Sequence, residues 1–303
     1  MISAPGGLLP RRTSPATHGC MARVVLITND SMHGRRVLQA LWERGIVLDA
    51  ALYLTGGYGL PAPRGVGFMG RIAQWPRAVA RTARRRLRFV RERRAAYASR
   101  CARVVGTGAM NSPRLLRDLR ALSPDWIVLG GGGILRDEVI AAARLGVLNA
   151  HPALLPWIRG TGVTGHALEH GVALGATLHR VDRGIDTGAI LQRRLIPVGT
   201  EGATLDALEL NCLQLAAEMM ADAVQAIVGG GELPAGTPQS ARYPLFTFPT
   251  DHEARRHRAL PADVRARALF DAWRPLCADP ERLILPADLA TPATVTLPPA
   301  KER

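Results

Sequence analysis

The chain has 303 residues, 47% of them apolar, and a formal net charge of +14. That is enough for one large core, or for a catalytic domain with an appendage, and no run approaches the roughly 18 uninterrupted apolar residues of a membrane span. Cys20, Cys101, Cys212 and Cys277 lie far apart with no CxxC pair, which argues against a thiolate metal site and for the reduced thiols of a cytoplasmic protein.

The charge invites a nucleic-acid reading, which two observations weaken. Lys301 is the sole lysine, so a compositional preference for arginine explains much of the excess. That excess is also local: eleven arginines fall between Arg77 and Arg103, against the single Glu92.

In chain order, residues 1–20 lack apolar periodicity and read as a disordered leader. A buried strand is expected over 24–28, followed by the loop from Asn29 to His33, a helix over 34–44 and a strand over 47–54. Residues 56–70 are rich in glycine and proline and break the pattern. The arginine-rich stretch 77–103 is helical by propensity, and an insertion of about 71–105 is expected around it. A helix over 114–122, a strand over 126–129, a helix over 137–144 and a strand over 145–149 come next. Two further strands, 175–181 and 190–198, precede an amphipathic helix over 204–228 that Gly229, Gly230 and Gly231 terminate. Beyond it an edge strand within 242–249 and a short helix over 262–273 are the only regular elements expected. The alternation predicts an α/β fold with a doubly wound, mostly parallel sheet of the Rossmann-like kind. It is expected to be a catalytic unit over 21–231 with an irregular extension over 232–303.

Within this frame the run Asn149-Ala-His151-Pro-Ala-Leu-Leu-Pro156-Trp-Ile-Arg159-Gly160, answered by Asp186-Thr-Gly188, gathers a carboxamide, an imidazole and a carboxylate around strand ends. Asn149 and His151 alternate onto one side of the backbone, at the edge where parallel sheets put their ligands. Each also has a plainer reading: Asn149 as a turn cap, His151 as a buried histidine, Asp186 as an Asx-turn residue.

These residues resemble the folate-dependent formyltransferases, continuously from about Asp125 to Val198 and more weakly from Met21 onward. That family includes methionyl-tRNA, glycinamide ribonucleotide and sugar-amine N-formyltransferases. The resemblance implies 10-formyltetrahydrofolate as co-substrate, no metal, and formyl transfer to a primary amine. Asn149 would then donate to the oxyanion, His151 would move protons, and Asp186 would orient the imidazole. It also implies that Gly132, Gly133, Ile134 and Leu135, together with Leu155, line the folate site. The loop of Asp182, Arg183, Gly184 and Ile185 would be its second folate contact.

His179 reads chiefly as packing beneath the site. His166 and His170, at helical spacing but with no evident third ligand, read as solvated surface. The expected acceptor is a small amine, such as an amino sugar nucleotide or a specialised-metabolite amine, and an anionic one if the arginine helix overhangs the sheet edge. A methionyl-tRNA formyltransferase is less expected, because residues 232–303 carry too few alternating strands for a β-rich second domain. A formyltetrahydrofolate hydrolase and an inactive RNA- or partner-binding module are the remaining alternatives. Nucleic acid and membrane are not expected partners, and oligomeric state is not legible.

Overall fold

The structure is a computed structural model, and it describes residues 22–56, 83–84, 87, 94–131, 133–170, 172–196, 204–239 and 243–259. The strands are β1 (Val24–Thr28), β2 (Leu48–Leu54), β3 (Cys101–Thr107), β4 (Trp126–Gly130), β5 (Gly146–His151), β6 (Arg159–Gly160), β7 (Gly175–Arg180), β8 (Ile190–Leu195) and β9 (Leu245–Phe246). The helices are α1 (Met32–Glu43), α2 (Arg94–Ala98), α3 (Pro113–Leu122), α4 (Asp137–Ile140), α5 (Val163–Glu169), α6 (Leu205–Val228) and α7 (Asp251–Ala259).

Seven strands form one sheet in the order β3-β2-β1-β4-β5-β7-β8, parallel through β5 and antiparallel where β7 and β8 join. Alternation sorts β1 onto two faces. Val24 and Leu26 pack with α1 and α6, through residues such as Leu41 and Met220. Val25 and Ile27 pack with Leu115 and Leu119 of α3 and Val139 of α4. A strand buried on both faces needs an apolar residue at every position, and VVLIT supplies it. The α/β reading holds: a mostly parallel sheet carries helices on both faces.

The strand order reverses between β1 and β4, because the chain first builds outward through β2 and β3 and then returns to add β4 and β5 on the other side. Ligands of open α/β sheets settle at such a reversal, outside the carboxyl ends of the strands. Here the two strand ends are sealed by glycine. A Cβ at Gly34, in the first turn of α1, would run into the carbonyl oxygen of Gly130 and into Thr28 Oγ1. Neither obstacle is a flexible side-chain tip. Gly34→Ala is therefore expected to lower unfolding stability by about 1–3 kcal/mol, read as a shift of the urea midpoint at constant slope.

Several expectations need correction. The arginine-rich stretch does not continue as helix to Arg103: α2 ends at Ala98, and Cys101–Thr107 is an edge strand paired in parallel with β2. An edge strand leaves one side to solvent, so Arg103 stays exposed while Cys101 and Thr107 are buried. The helical insertion therefore cannot extend to 105, and most of 71–93 lies outside the described residues. The helix expected over 137–144 stops at Ile140, because Arg144 N–H and Leu145 N–H bond back to Pro124 and Asp125 and turn the chain into β5.

The extension is less irregular than expected. Its strand shrinks to Leu245–Phe246, which pairs with Arg159–Gly160, and Asp251–Ala259 is a helix. Thr250 and Glu253 close a reciprocal capping box at its start: Thr250 N–H donates to the Glu253 carboxylate, and Glu253 N–H donates to Thr250 Oγ1. The leader over 1–20 and the helix expected over 262–273 lie outside the described residues.

Candidate active site

Asn149 and His151 alternate along the end of β5, and the antiparallel partner β7 sets what faces them: Asn149 is paired with His179 and His151 with Thr177. Asp186 arrives from the β7–β8 connection in the left-handed region, at φ 54°, a conformation that aspartate tolerates. The three side chains proposed from the sequence thus meet at one strand end.

Asp186 is the hub. One carboxylate oxygen lies 3.6 Å from His151 Nδ1 and the other 3.7 Å from His179 Nε2. Gly160 N–H donates to it at 2.9 Å, which ties the hub to the 157–160 loop. Burial pushes this carboxyl up, but His151, His179, the Gly160 N–H and Arg159 together outweigh burial and hold it below the usual carboxylate range. His151 Nε2–H donates to the Ile158 carbonyl at 3.0 Å, leaving Nδ1 as the edge that faces the carboxylate.

His179, read from the sequence as packing, has a defined polar role. Its Nδ1–H donates to the Arg180 carbonyl at 2.8 Å, which fixes the tautomer, and its Nε2 then accepts from Asn149 Nδ2 at 3.1 Å. One amide proton of Asn149 is held, and the other is aimed by that constraint. Burial keeps the His179 ring neutral by lowering its pKa, and the charge of His151 adds to this against the opposing pull of Asp186. The sequence carried the Thr-x-His pattern, but the long-range β5–β7 register that gives it meaning was not legible there.

His33, another residue that sequence reasoning passed over, stands in the first turn of α1, just past β1. Its pKa is lowered to about 4, first by burial and then by the charge of His151. A pH dependence follows. Both His33 and His179 bind protons more weakly folded than unfolded, so the unfolded chain takes up more protons below the ordinary histidine value of about 6.5. Their contribution to stability is complete above that value and is lost as pH falls toward about 4 for His33. The melting temperature, followed by calorimetry, should decline across that window, and His33→Phe should flatten the decline.

The expected folate loops are brought together in part. Arg183 is ion-paired with Asp137 at 2.9 Å, which links the 182–185 loop to the segment after β4. Asp182 Oδ1 accepts from Gly184 N–H and from Thr187 Oγ1, so this loop is an Asx turn as well. Ile134 is exposed and Leu135 buried, while the Ile134 carbonyl is already taken by Asn111 Nδ2. It is the apolar Ile134 side chain, not that carbonyl, which remains on offer. Gly133, Gly184 and Ile185 lie in these loops, and Gly132 lies outside the described residues. Leu155 is fully buried, and its N–H donates to Thr177 Oγ1, so its place is beneath the 153–157 turn.

His166 and His170 are not solvated surface. His166 is buried, stacks on Phe246 and contacts the His257 ring edge-on. The acidic neighbour is Glu169: ligand atoms of His166, Glu169 and His170 lie within 4.8 Å of one another. Glu169 already binds Arg256 and His257 of α7, so a cation there would have to displace Arg256. The observed role is to clamp α7 onto α5. Among the described residues, no helix is long and apolar enough to cross a membrane.

Residues 90–224 match the formyl transferase family model. Methionyl-tRNA formyltransferase of Roseiflexus castenholzii is 32% identical over 140 residues, 46% of this chain and 44% of that protein. The enzyme of the same name from Xanthomonas campestris pv. campestris is 33% identical over 169 residues, 54% of each chain. The chain thus spans about half the length of the curated relatives it matches. Among solved structures, a 4-N formyltransferase from Francisella tularensis superposes with a TM-score of 0.50 at 14% identity, covering 80% of this chain and 88% of that one. A phosphoribosylglycinamide formyltransferase from Anaplasma phagocytophilum gives 0.50 at 18% identity, over 75% and 97%. At these identities the two structures speak for the fold.

Proposed function

We propose that this chain, whose residues 90–224 match the formyl transferase family model, moves a formyl group from 10-formyltetrahydrofolate to the primary amine of a small acceptor. The observation that carries the reading is the meeting of Asn149, His151 and Asp186 at the end of β5, with the Asn149 amide held by His179.

The chemistry balances on these groups. The amine nitrogen forms a bond to the formyl carbon, and the carbonyl oxygen takes the negative charge. The free amide proton of Asn149 stabilises that charge as a neutral donor that does not itself ionise. His151 Nδ1 takes the proton released by the amine, and the nearby Asp186 carboxylate stabilises the resulting cation. The bond from the formyl carbon to the folate nitrogen then breaks, and His151 returns its proton to that nitrogen. The Ile134 side chain, Leu135 and the linked 182–185 loop are the groups proposed to bound the folate.

The acceptor is proposed to be an amino sugar nucleotide or another small amine. Methionyl-tRNA is the second reading, and the names of the matched curated relatives favour it. The arginine stretch, proposed to steer an anionic acceptor, falls mostly outside the described residues. The test is incubation of the full chain with 10-formyltetrahydrofolate and one of three acceptors: a UDP-linked 4-amino-4,6-dideoxy sugar, glycinamide ribonucleotide or methionyl-tRNA. A formyl mass increment on the sugar is the expected result. An increment on the tRNA alone selects the second reading, and formate release with none of the three formylated points to a hydrolase.

A further inference from the structure

The loop from Trp157 to Gly162 has two sides. On its inner side Gly160 N–H donates to Asp186 at 2.9 Å, and the Ile158 carbonyl takes the His151 Nε2–H at 3.0 Å. The loop therefore sets both where the carboxylate sits and which edge of the imidazole faces it. On its outer side it is bound to residues 243–247. β6 and β9 pair in parallel, Arg159 with Leu245 and Gly160 with Phe246. Thr161 N–H donates to the Phe246 carbonyl at 3.2 Å, and the Arg159 guanidinium donates to the Tyr243 carbonyl. The approach is close enough to require glycine: Gly160 stands at φ 99°, and a Cβ there would run into the Phe246 carbonyl oxygen.

Two residues of pairing do not hold a strand by themselves. β9 is anchored from behind. The buried Phe246 ring stacks on His166 at 4.6 Å and lies against His170 at 5.3 Å, and His166 Nε2–H donates to the Thr247 carbonyl at 3.1 Å. Farther along, His257 Nε2–H donates to the Glu169 carboxylate at 2.7 Å, and Arg256 pairs with the same group. The connections close a ring: the loop leads into α5, α5 holds Phe246 and α7, and β9 returns to the loop. A segment that served folding alone could dock on any apolar surface. This one docks on the loop whose backbone bonds to both His151 and Asp186.

We propose that Phe246 is a positioning residue for the transfer step: it anchors β9, which keeps Gly160 N–H on Asp186 and the Ile158 carbonyl on His151. The inference rests on the formyl-transfer reading above. It makes residues 243–259, which lie beyond the family match at 90–224, part of the catalytic apparatus. The Arg159 charge, fastened to the Tyr243 carbonyl, adds to the pull that holds the Asp186 carboxyl low.

The test uses the full chain and the same three acceptors. Phe246→Ala should lower kcat for the formylated acceptor about 10- to 100-fold, the scale of a small displacement of catalytic groups, while KM for both substrates stays within about twofold. Phe246→Leu keeps apolar bulk behind β9 and should recover most of the loss. In a His151→Ala background, Phe246→Ala should cost less than about twofold more, because the loop has no imidazole left to orient. Independently of turnover, hydrogen exchange at the Gly160 amide should quicken in Phe246→Ala while that of β1 stays slow. Should Phe246→Ala not fold, Glu169→Gln, which removes the charge that holds Arg256, carries the same measurements with a smaller loss in kcat. An unchanged kcat in the folded variant, a loss shared between kcat and both KM values, or a loss that multiplies fully with His151→Ala overturns the proposal and leaves formyl transfer standing. If the wild-type chain formylates none of the three acceptors, the formyl-transfer reading fails and the role of Phe246 fails with it.

Discussion

Asn149→Ala is expected to slow formyl transfer by about 10²–10³-fold, the loss seen when one preorganised oxyanion donor is removed. The effect should fall on kcat, because the amide is proposed to meet a charge that exists only as the reaction proceeds. The fold should tolerate the change: Asn149 is half-buried at a strand end, and its side chain bonds to one partner, His179 Nε2. Asn149→Asp should be slower still. A carboxylate has no proton for the oxyanion, and it would stand beside the lone pair of the His179 ring, whose other nitrogen is committed to Arg180. Single-turnover rates with saturating folate check both variants. An alanine variant that keeps a tenth of the wild-type rate would remove Asn149 from the proposed mechanism.

That expectation depends on a side chain whose importance the sequence did not disclose. His179 acquires its role from the pairing of β5 with β7, thirty residues apart and antiparallel, and no local pattern encodes that register. The same holds for the hub at Asp186. Its spacing from the Asn149 run could be seen, but not that its carboxylate faces two imidazoles and a backbone N–H at once. What was legible was local. The VVLIT run marks its own strand because every residue is apolar, and the 204–228 helix announces itself by steps of three and four behind a threonine cap.

Two features were legible and passed over. Thr250-Asp-His-Glu253 is a capping-box sequence, and it does start a helix. His33 lies just beyond the end of a parallel strand, where functional side chains concentrate. The strand at Cys101–Thr107 was hidden for a different reason. Arginine favours helix, and the run of arginines continued into a strand whose valines are half-buried and whose Arg103 points to solvent at the sheet edge. Tertiary position overrode local preference there.

The carboxylate at 186 should be the most sensitive position of all. Asp186→Asn is expected to lower turnover by about 10³–10⁴-fold, the order found when the acid behind a catalytic histidine is made neutral. The substitution isolates charge from shape. Asparagine is close in size, tolerates the left-handed backbone at φ 54°, and can still accept from Gly160 N–H. It carries no charge to stabilise a proton on His151 Nδ1, and with its oxygen kept on Gly160 N–H its amide nitrogen would face His179 Nε2. Asp186→Ala would confound this by straining the backbone and freeing the 157–160 loop. If the residues act as one unit, Asp186→Asn combined with His151→Ala should be little worse than His151→Ala alone, because the carboxylate has no cation left to hold. Losses that multiply would show instead that Asp186 works through His179 and the Asn149 amide, by the 3.7 Å contact on its other oxygen. The double-mutant cycle therefore decides which imidazole the carboxylate serves.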